Sequence, residues 1–326
     1  MFFKKTYDII CFGSATVDIF LSSKEFKLLP ESKTGLKRTT ICTIYQDKVE
    51  IDQRVIASGG GGTNTAVGFA RLGLKTALVC QFGKDIFGQM VLAELKKEKN
   101  LDLTQLIIKK EDQTDQSVIL LTPTGQRTIL VYRGKTRLEK EDINWSLLNT
   151  KWFYLASLEG NLHLAQELID FAYKKGIKVA WNPGKKELSQ KETVILLSKY
   201  VNLISFNQEE ACFLLATTEN KLWEKINKIG SPLIIVTQGK QGATAISGNQ
   251  KIHRPIFQIK TIDETGAGDS FNSGLVAGLI KGLSLQESLN WGMANSASVV
   301  SRIGTKAGLL TEKQLKEFIT RHSQNG

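Results

Sequence analysis

Between residues 152 and 237 the chain repeats one pattern: a short β-rich apolar run, a longer run with a helical face, then another β-rich run. The stretches 152–156, 177–181, 201–205 and 232–237 read as strands. Those at 162–175 and 187–200 read as helices, and a helix-rich stretch precedes 232. This pattern leaves few folds open, because strands joined through helices lie parallel and a parallel sheet needs cover on both faces. Residues 7–13, Tyr-Asp-Ile-Ile-Cys-Phe-Gly, read as a buried first strand. A further strand is expected at 76–82 and a helix at 87–98. The expected fold is therefore α/β, with a mostly parallel central sheet and helices on both faces.

Two segments depart from the alternation. Residues 37–56 are β-branched with no helical face, and 115–133 hold two β-rich runs around Pro123-Thr124-Gly125, a hairpin signal. They predict a small separate β-sheet built from about 35–57 and 115–133, attached to one α/β domain spanning 1–326. With 41% hydrophobic and 23% charged residues, the composition is that of an ordinary globular chain. The net charge of +11 is spread along the chain without interleaved aromatics, which points to a lysine-rich solvated surface and not to a nucleic-acid partner. Cysteines 11, 42, 80 and 212 form no C-x-x-C pair, so neither a zinc site nor a disulfide framework is expected, which fits the cytoplasm. Asp8 and Asp18 interrupt the N-terminal apolar run. No stretch reaches the roughly 18 apolar residues of a membrane span, so no membrane association is expected.

The chemistry concentrates at two glycine-rich junctions. In Thr261-Ile262-Asp263-Glu264-Thr265-Gly266-Ala267-Gly268-Asp269, a strand-like stretch (257–262) runs into a small-residue turn, and a helix is expected over 270–280. Gly266, Ala267 and Gly268 would bare backbone N–H groups at a helix N-terminus, where an anion is favoured. Asp269 sits beside that anion. A carboxylate there repels phosphate but can take a proton from an attacking hydroxyl. The plainer reading is a loop with a capping acid. The second junction, Ser58-Gly59-Gly60-Gly61-Gly62-Thr63-Asn64, lets the backbone lie flat against a ligand, with Asn64 suited to a sugar hydroxyl.

The two junctions together resemble the signatures of the ribokinase-like (PfkB) carbohydrate kinase family. The resemblance implies an ATP-dependent transfer of the γ-phosphoryl group to a hydroxymethyl group, with Asp269 as base and Gly266, Ala267 and Gly268 as anion hole. By the same resemblance Asp18, Gly60, Gly61, Asn64 and Glu159 bind the acceptor. Asn207, Glu210, Thr237, Gly239 and Gly242 serve ATP, with Asn207 and Glu210 holding Mg2+ through water. Asp263, Thr265, Arg302 and Gly304 match a monovalent-cation (K+) site. The small sheet is implied to be a lid over the acceptor and a homodimer contact. Taken singly, Asn207 with Glu210 reads as a helix capping box and Asn182-Pro183 as a turn.

Other nucleotide folds do not fit. Of the Gly-Lys pairs only Gly134-Lys135 precedes Ser or Thr, and position 129 is Ile where a P-loop needs Gly. The third glycine of a dinucleotide fingerprint is replaced by Phe271. Position 61 is Gly where ribokinases proper carry Lys, and position 16 is Thr where they carry Asn, which leaves the acceptor open between a sugar and a nucleoside. A non-catalytic sugar or nucleoside sensor is the remaining alternative, disfavoured by Asp269.

Overall fold

The computed structural model describes residues 5–29, 40–43, 48–122 and 127–323. The Pro123-Thr124-Gly125 turn and residues 35–39 and 44–47 of the first expected insert lie outside them. The strands are β1 (Tyr7–Phe12), β2 (Thr16–Ser22), β3 (Lys27–Leu29), β4 (Thr40–Cys42), β5 (Gln53–Gly59), β6 (Thr76–Gly83), β7 (Leu101–Asp102) and β8 (Leu106–Lys109). They continue with β9 (Asp115–Leu121), β10 (Arg127–Tyr132), β11 (Thr150–Leu155), β12 (Lys178–Trp181), β13 (Leu203–Asn207), β14 (Leu233–Thr237), β15 (Ala243–Ser247) and β16 (Gln250–Arg254). The helices that build the two faces and the site are α1 (Gly61–Arg71), α2 (Ile86–Leu95), α3 (Leu162–Lys175), α4 (Lys185–Leu188), α5 (Lys191–Ser198), α6 (Gln208–Leu214), α7 (Leu222–Lys225), α8 (Ala267–Ile280), α9 (Leu285–Val300) and α10 (Glu312–Ser323).

The large sheet runs β16-β15-β14-β13-β12-β11-β1-β6-β7, with β8 also on β6. From β14 to β7 every pairing is parallel, and β15 and β16 close one edge as antiparallel strands. Strand alternation sorts the core into two layers. Ile10, Phe12, Phe153, Leu155, Val179 and Trp181 face α3, α5 and α6. Ile9, Cys11, Tyr154 and Ala180 face α1, α8 and α9. The expected central fold is therefore present.

The small sheet runs β10-β9-β2-β5. Both expected inserts contribute to it, but so does β2, a strand not expected from the sequence. Asp18 lies within β2, opposite Ala57 of β5 and Ser117 of β9. β4 pairs with β3 in a separate two-stranded ribbon instead of joining the small sheet.

Three other expectations shift. Residues 257–262 form no strand. Ile262 N–H donates instead to the Val300 carbonyl at 2.7 Å, and Phe257 packs edge-on against Phe318 of α10, so this stretch spends its apolar residues on packing after β16 has closed the sheet edge. The helix expected at 187–200 is broken at Ser189–Gln190 into α4 and α5. The strand expected at 201–205 spans Leu203–Asn207, which places Asn207 at its tip.

Candidate active site

The turn before α8 is held open by one residue. Gly266 has φ 80°, a left-handed conformation open to glycine at little cost, and a Cβ there would come within 2.9 Å of the Thr305 Cβ. Ser270 N–H donates to the Gly266 carbonyl (2.9 Å) and opens the helix ladder. Ala267 N–H is already given to the Glu264 carbonyl at 3.2 Å. The amides left without a protein partner among the described residues are those of Gly266, Gly268 and Asp269, as first-turn geometry requires. Of the three amides expected to face an anion, those of Gly266 and Gly268 are unpaired and that of Ala267 is taken by Glu264. A Cβ on Gly268 would meet nothing within 4 Å, so this glycine borders open space.

Asp269 stands in the first turn of α8, and its Oδ2 accepts a 2.8 Å bond from Asn64 Nδ2 on α1. Burial pushes its carboxyl above the ordinary carboxylate range. The Asn64 hydrogen bond and the Lys306 charge oppose that shift, and the negative charge of Asp18 adds to it. Asn64 is itself oriented, since its Oδ1 accepts from Thr305 Oγ1 at 2.9 Å.

In the glycine run at 59–62 the absent side chains make room for neighbouring protein atoms. A side chain on Gly59 would collide with the Asp18 carboxylate, and one on Gly62 would meet the Gly13 backbone at 2.7 Å. Gly60 has φ 96° and abuts Ser14. A Cβ on Gly61 would lie 3.1 Å from the Ala156 Cβ and 3.6 Å from Asp269 Oδ1. Asp18 is buried. Burial raises its carboxyl, against the pull of Lys306, Ser117, Thr16 and Arg133.

Glu159, four residues past the end of β11, adopts φ 60°, strained for a residue with a side chain. Its Oε1 lies 3.0 Å from Arg133 Nε, while Arg133 Nη1 lies 3.2 Å from Asp115. One guanidinium shared by two carboxylates cannot neutralise both. Burial and the Asp115 charge therefore push Glu159 up to about 7 despite the ion pair. Asp115, Arg133 and Lys306 escaped the sequence reading. The first two lie in segments read only as lid strands, and no local pattern marks Lys306. That lysine is buried, and burial lowers its ammonium to about 8 against the carboxylates of Asp18, Glu94 and Asp269.

On the other side of the Gly266–Asp269 turn, a cavity of about 340 Å³ is lined by Asn207, Thr237, Gly239, Gly242, Gly268 and Phe271. Asn207 and Glu210 form the reciprocal capping box: Asn207 Oδ1 accepts Glu210 N–H and Glu210 Oε2 accepts Asn207 N–H, each at 2.8 Å. Burial raises the Glu210 carboxyl, and Asp269 acts on it across the turn. Gly242 has φ 97°, and a Cβ there would strike the Arg254 carbonyl, so its role is in the turn backbone.

Residues 8–312 match the pfkB family of carbohydrate kinases. The chain belongs to this family. As a pfkB-family kinase it is a phosphotransferase with an alcohol group as acceptor. It is similar to the ATP-dependent 6-phosphofructokinase of Thermoanaerobacterium thermosaccharolyticum, at 27% identity covering 93% of this chain and 91% of that protein. It is equally similar to the nucleoside kinase of Methanocaldococcus jannaschii, at 26% identity covering 98% of each. Its fold matches the Arabidopsis thaliana ribokinase complexed with ribose and ATP, with a TM-score of 0.78 at 20% identity over 97% of this chain and 99% of that one. No helix among the described residues of this pfkB-family chain is long and apolar enough to cross a membrane.

Proposed function

We propose that this pfkB-family kinase transfers the γ-phosphoryl group of ATP to a hydroxymethyl group of a sugar, as a ribokinase or fructokinase does. The observation that carries the reading is the Asn64–Asp269 bond beside the open face of Gly268. It holds one carboxylate oxygen of Asp269 and leaves Oδ1 for the acceptor proton, next to unpaired amides that suit the phosphoryl group. Asp18, Gly60, Gly61, Asn64 and Glu159 bind the acceptor. The nucleotide lies in the cavity at Asn207, Thr237 and Gly239, with Gly242 shaping its wall. A sugar-phosphate kinase and a nucleoside kinase are both relatives, so assay separates sugar from nucleoside acceptors.

Magnesium supplies charge neutralisation on the phosphates when bound. Glu210 fits it through water, since its Oε1 is not used by the capping box. A monovalent cation fits beside Asp263. This carboxylate is buried, accepts from Thr265 N–H (2.9 Å), Thr265 Oγ1 (2.6 Å) and Gly304 N–H (3.2 Å), and has no ion pair among the described residues. Arg302 gives its Nη1 to the Ala307 carbonyl instead.

The small sheet is the acceptor lid and the contact of a homodimer, whose seat is the exposed apolar run Ile129, Leu130, Val131 and Tyr132 on edge strand β10. Four free cysteines fit a cytoplasmic setting. The test is turnover by the purified chain with ATP and Mg2+ over ribose, fructose, fructose 6-phosphate and adenosine, in KCl and in choline chloride. Phosphorylation of a neutral sugar is expected. Turnover of adenosine alone would replace the sugar reading, and no turnover of any acceptor would remove it.

A further inference from the structure

Among the described residues, Lys306 is the only lysine or arginine counted in the buried interior. Its Nζ donates to the Ser58 carbonyl at 2.8 Å and to Ser58 Oγ at 3.1 Å, and no carboxylate touches it directly. Burying an ammonium is costly, and a methionine would fill the same space without that cost. What offsets it is the negative charge of Asp18, Glu94 and Asp269, each of which favours the ammonium.

The links to those carboxylates run through named atoms. Ser58 N–H donates to Glu94 Oε2 at 3.1 Å. Ser58 precedes Gly59, on whose Cα face the Asp18 carboxylate lies. The neighbouring Thr305 donates to Asn64 Oδ1, and the amide of Asn64 then holds Asp269. The 305–306 segment thus reaches both carboxylates of the acceptor side from the far end of the chain. Asp18 and Asp269 are like charges that repel each other, and Lys306 opposes that repulsion at both.

We propose that Lys306 is a positioning residue of the phosphoryl-transfer site, whose hydrogen bonds to Ser58 fix the strand end against which Asp18 lies and whose charge steadies Asp18 and Asp269 against their mutual repulsion. This rests on the reading of Asp269 as base and Asp18 as acceptor ligand. Thr305 completes the arrangement by setting which way the Asn64 amide points.

The test uses the full chain with Lys306→Met, Lys306→Arg, Asp18→Asn and the double variant Asp18→Asn/Lys306→Met. In urea unfolding, the double variant should have a folding constant about tenfold or more above the additive expectation, because each single change strands an opposite charge. Strict additivity overturns the proposal. With ATP and Mg2+ and whichever of ribose, fructose or adenosine the wild type phosphorylates, Lys306→Met should lower kcat by about tenfold or more while the Kd for ATP stays within about twofold. Lys306→Arg should recover most of that loss. A folded Lys306→Met with wild-type kcat and acceptor KM would mean the lysine is only structural and sinks the idea. Should Lys306→Met fail to fold, folding of the double variant supports the charge coupling. If neither folds, the arginine variant decides: kept kcat supports, lost kcat overturns. Absence of turnover in the wild type would defeat the proposed reaction, while the unfolding cycle would still decide Lys306.

Discussion

Asn64 on α1 donates Nδ2 to Asp269 Oδ2 on α8 at 2.8 Å, joining residues 205 positions apart in the chain. Each belongs to one of the two glycine-rich junctions, so this bond is where the junctions meet. It also makes the two oxygens of Asp269 different, with Oδ2 held by Asn64 and Oδ1 left without a hydrogen-bond partner among the described residues.

Asp269→Asn keeps the shape and removes the base. The expected fall in kcat is about 10²–10⁴-fold, with ATP affinity near wild type, read by steady-state kinetics and nucleotide titration. Because the folded pKa of Asp269 is raised, wild-type kcat should fall as pH drops through that raised value, earlier than an ordinary aspartate would dictate. A variant with near-normal kcat would remove Asp269 from the mechanism.

The two glycines of the turn should separate binding from folding. Gly268 faces space with nothing within 4 Å of a Cβ, so Gly268→Val should fold with little loss of Tm yet bind ATP weakly. Gly266 has φ 80° and Thr305 at 2.9 Å, so Gly266→Ala should destabilise by about 1–3 kcal/mol. Thermal melts and ATP titration of both proteins check this, and equal melting temperatures for the two variants would contradict it.

Asp18→Asn should raise the acceptor KM by about tenfold or more, the worth of a hydrogen bond to a charged group, with a smaller effect on ATP. Equal weakening of both substrates would move Asp18 out of the acceptor site.

Glu159 titrates at about 7, above its ordinary 4.5. Its ionised form accepts a hydroxyl more strongly than its protonated form. The acceptor KM should therefore fall as pH rises from 6 to 8 in wild type, roughly these limits bracketing the midpoint, and Glu159→Gln should flatten the profile. For stability the sign is opposite. A raised folded pKa contributes stability that is full below 4.5 and is lost as pH rises through about 7. An acceptor KM that is flat in wild type would reject the role.

A lid that closes on the acceptor should suppress loss of phosphate to water. Slow ATP hydrolysis without acceptor and fast turnover with it are expected from a phosphate-release assay. Equal rates would show that closure is not coupled to acceptor binding.

What the sequence determined by itself was local or periodic. The alternation after residue 152 dictated a parallel sheet, because helical crossovers admit no other pairing of successive strands. Asn207 with Glu210 and the turn at Gly266 were readable because capping and left-handed backbone are properties of a few consecutive residues. Tertiary structure decided the rest. Asp18 in the sequence only interrupts an apolar run, and its position in β2 follows from pairing with β5 and β9, partners about 40 and 100 residues away. That the Ala267 amide is already paired hangs on one bond to Glu264. Arg133 stands between Asp115 and Glu159, and Lys306 beneath Ser58, because the fold brings distant segments together. A buried charge is meaningful only through the opposite charges around it, and those are neighbours in space that no spacing in the chain records.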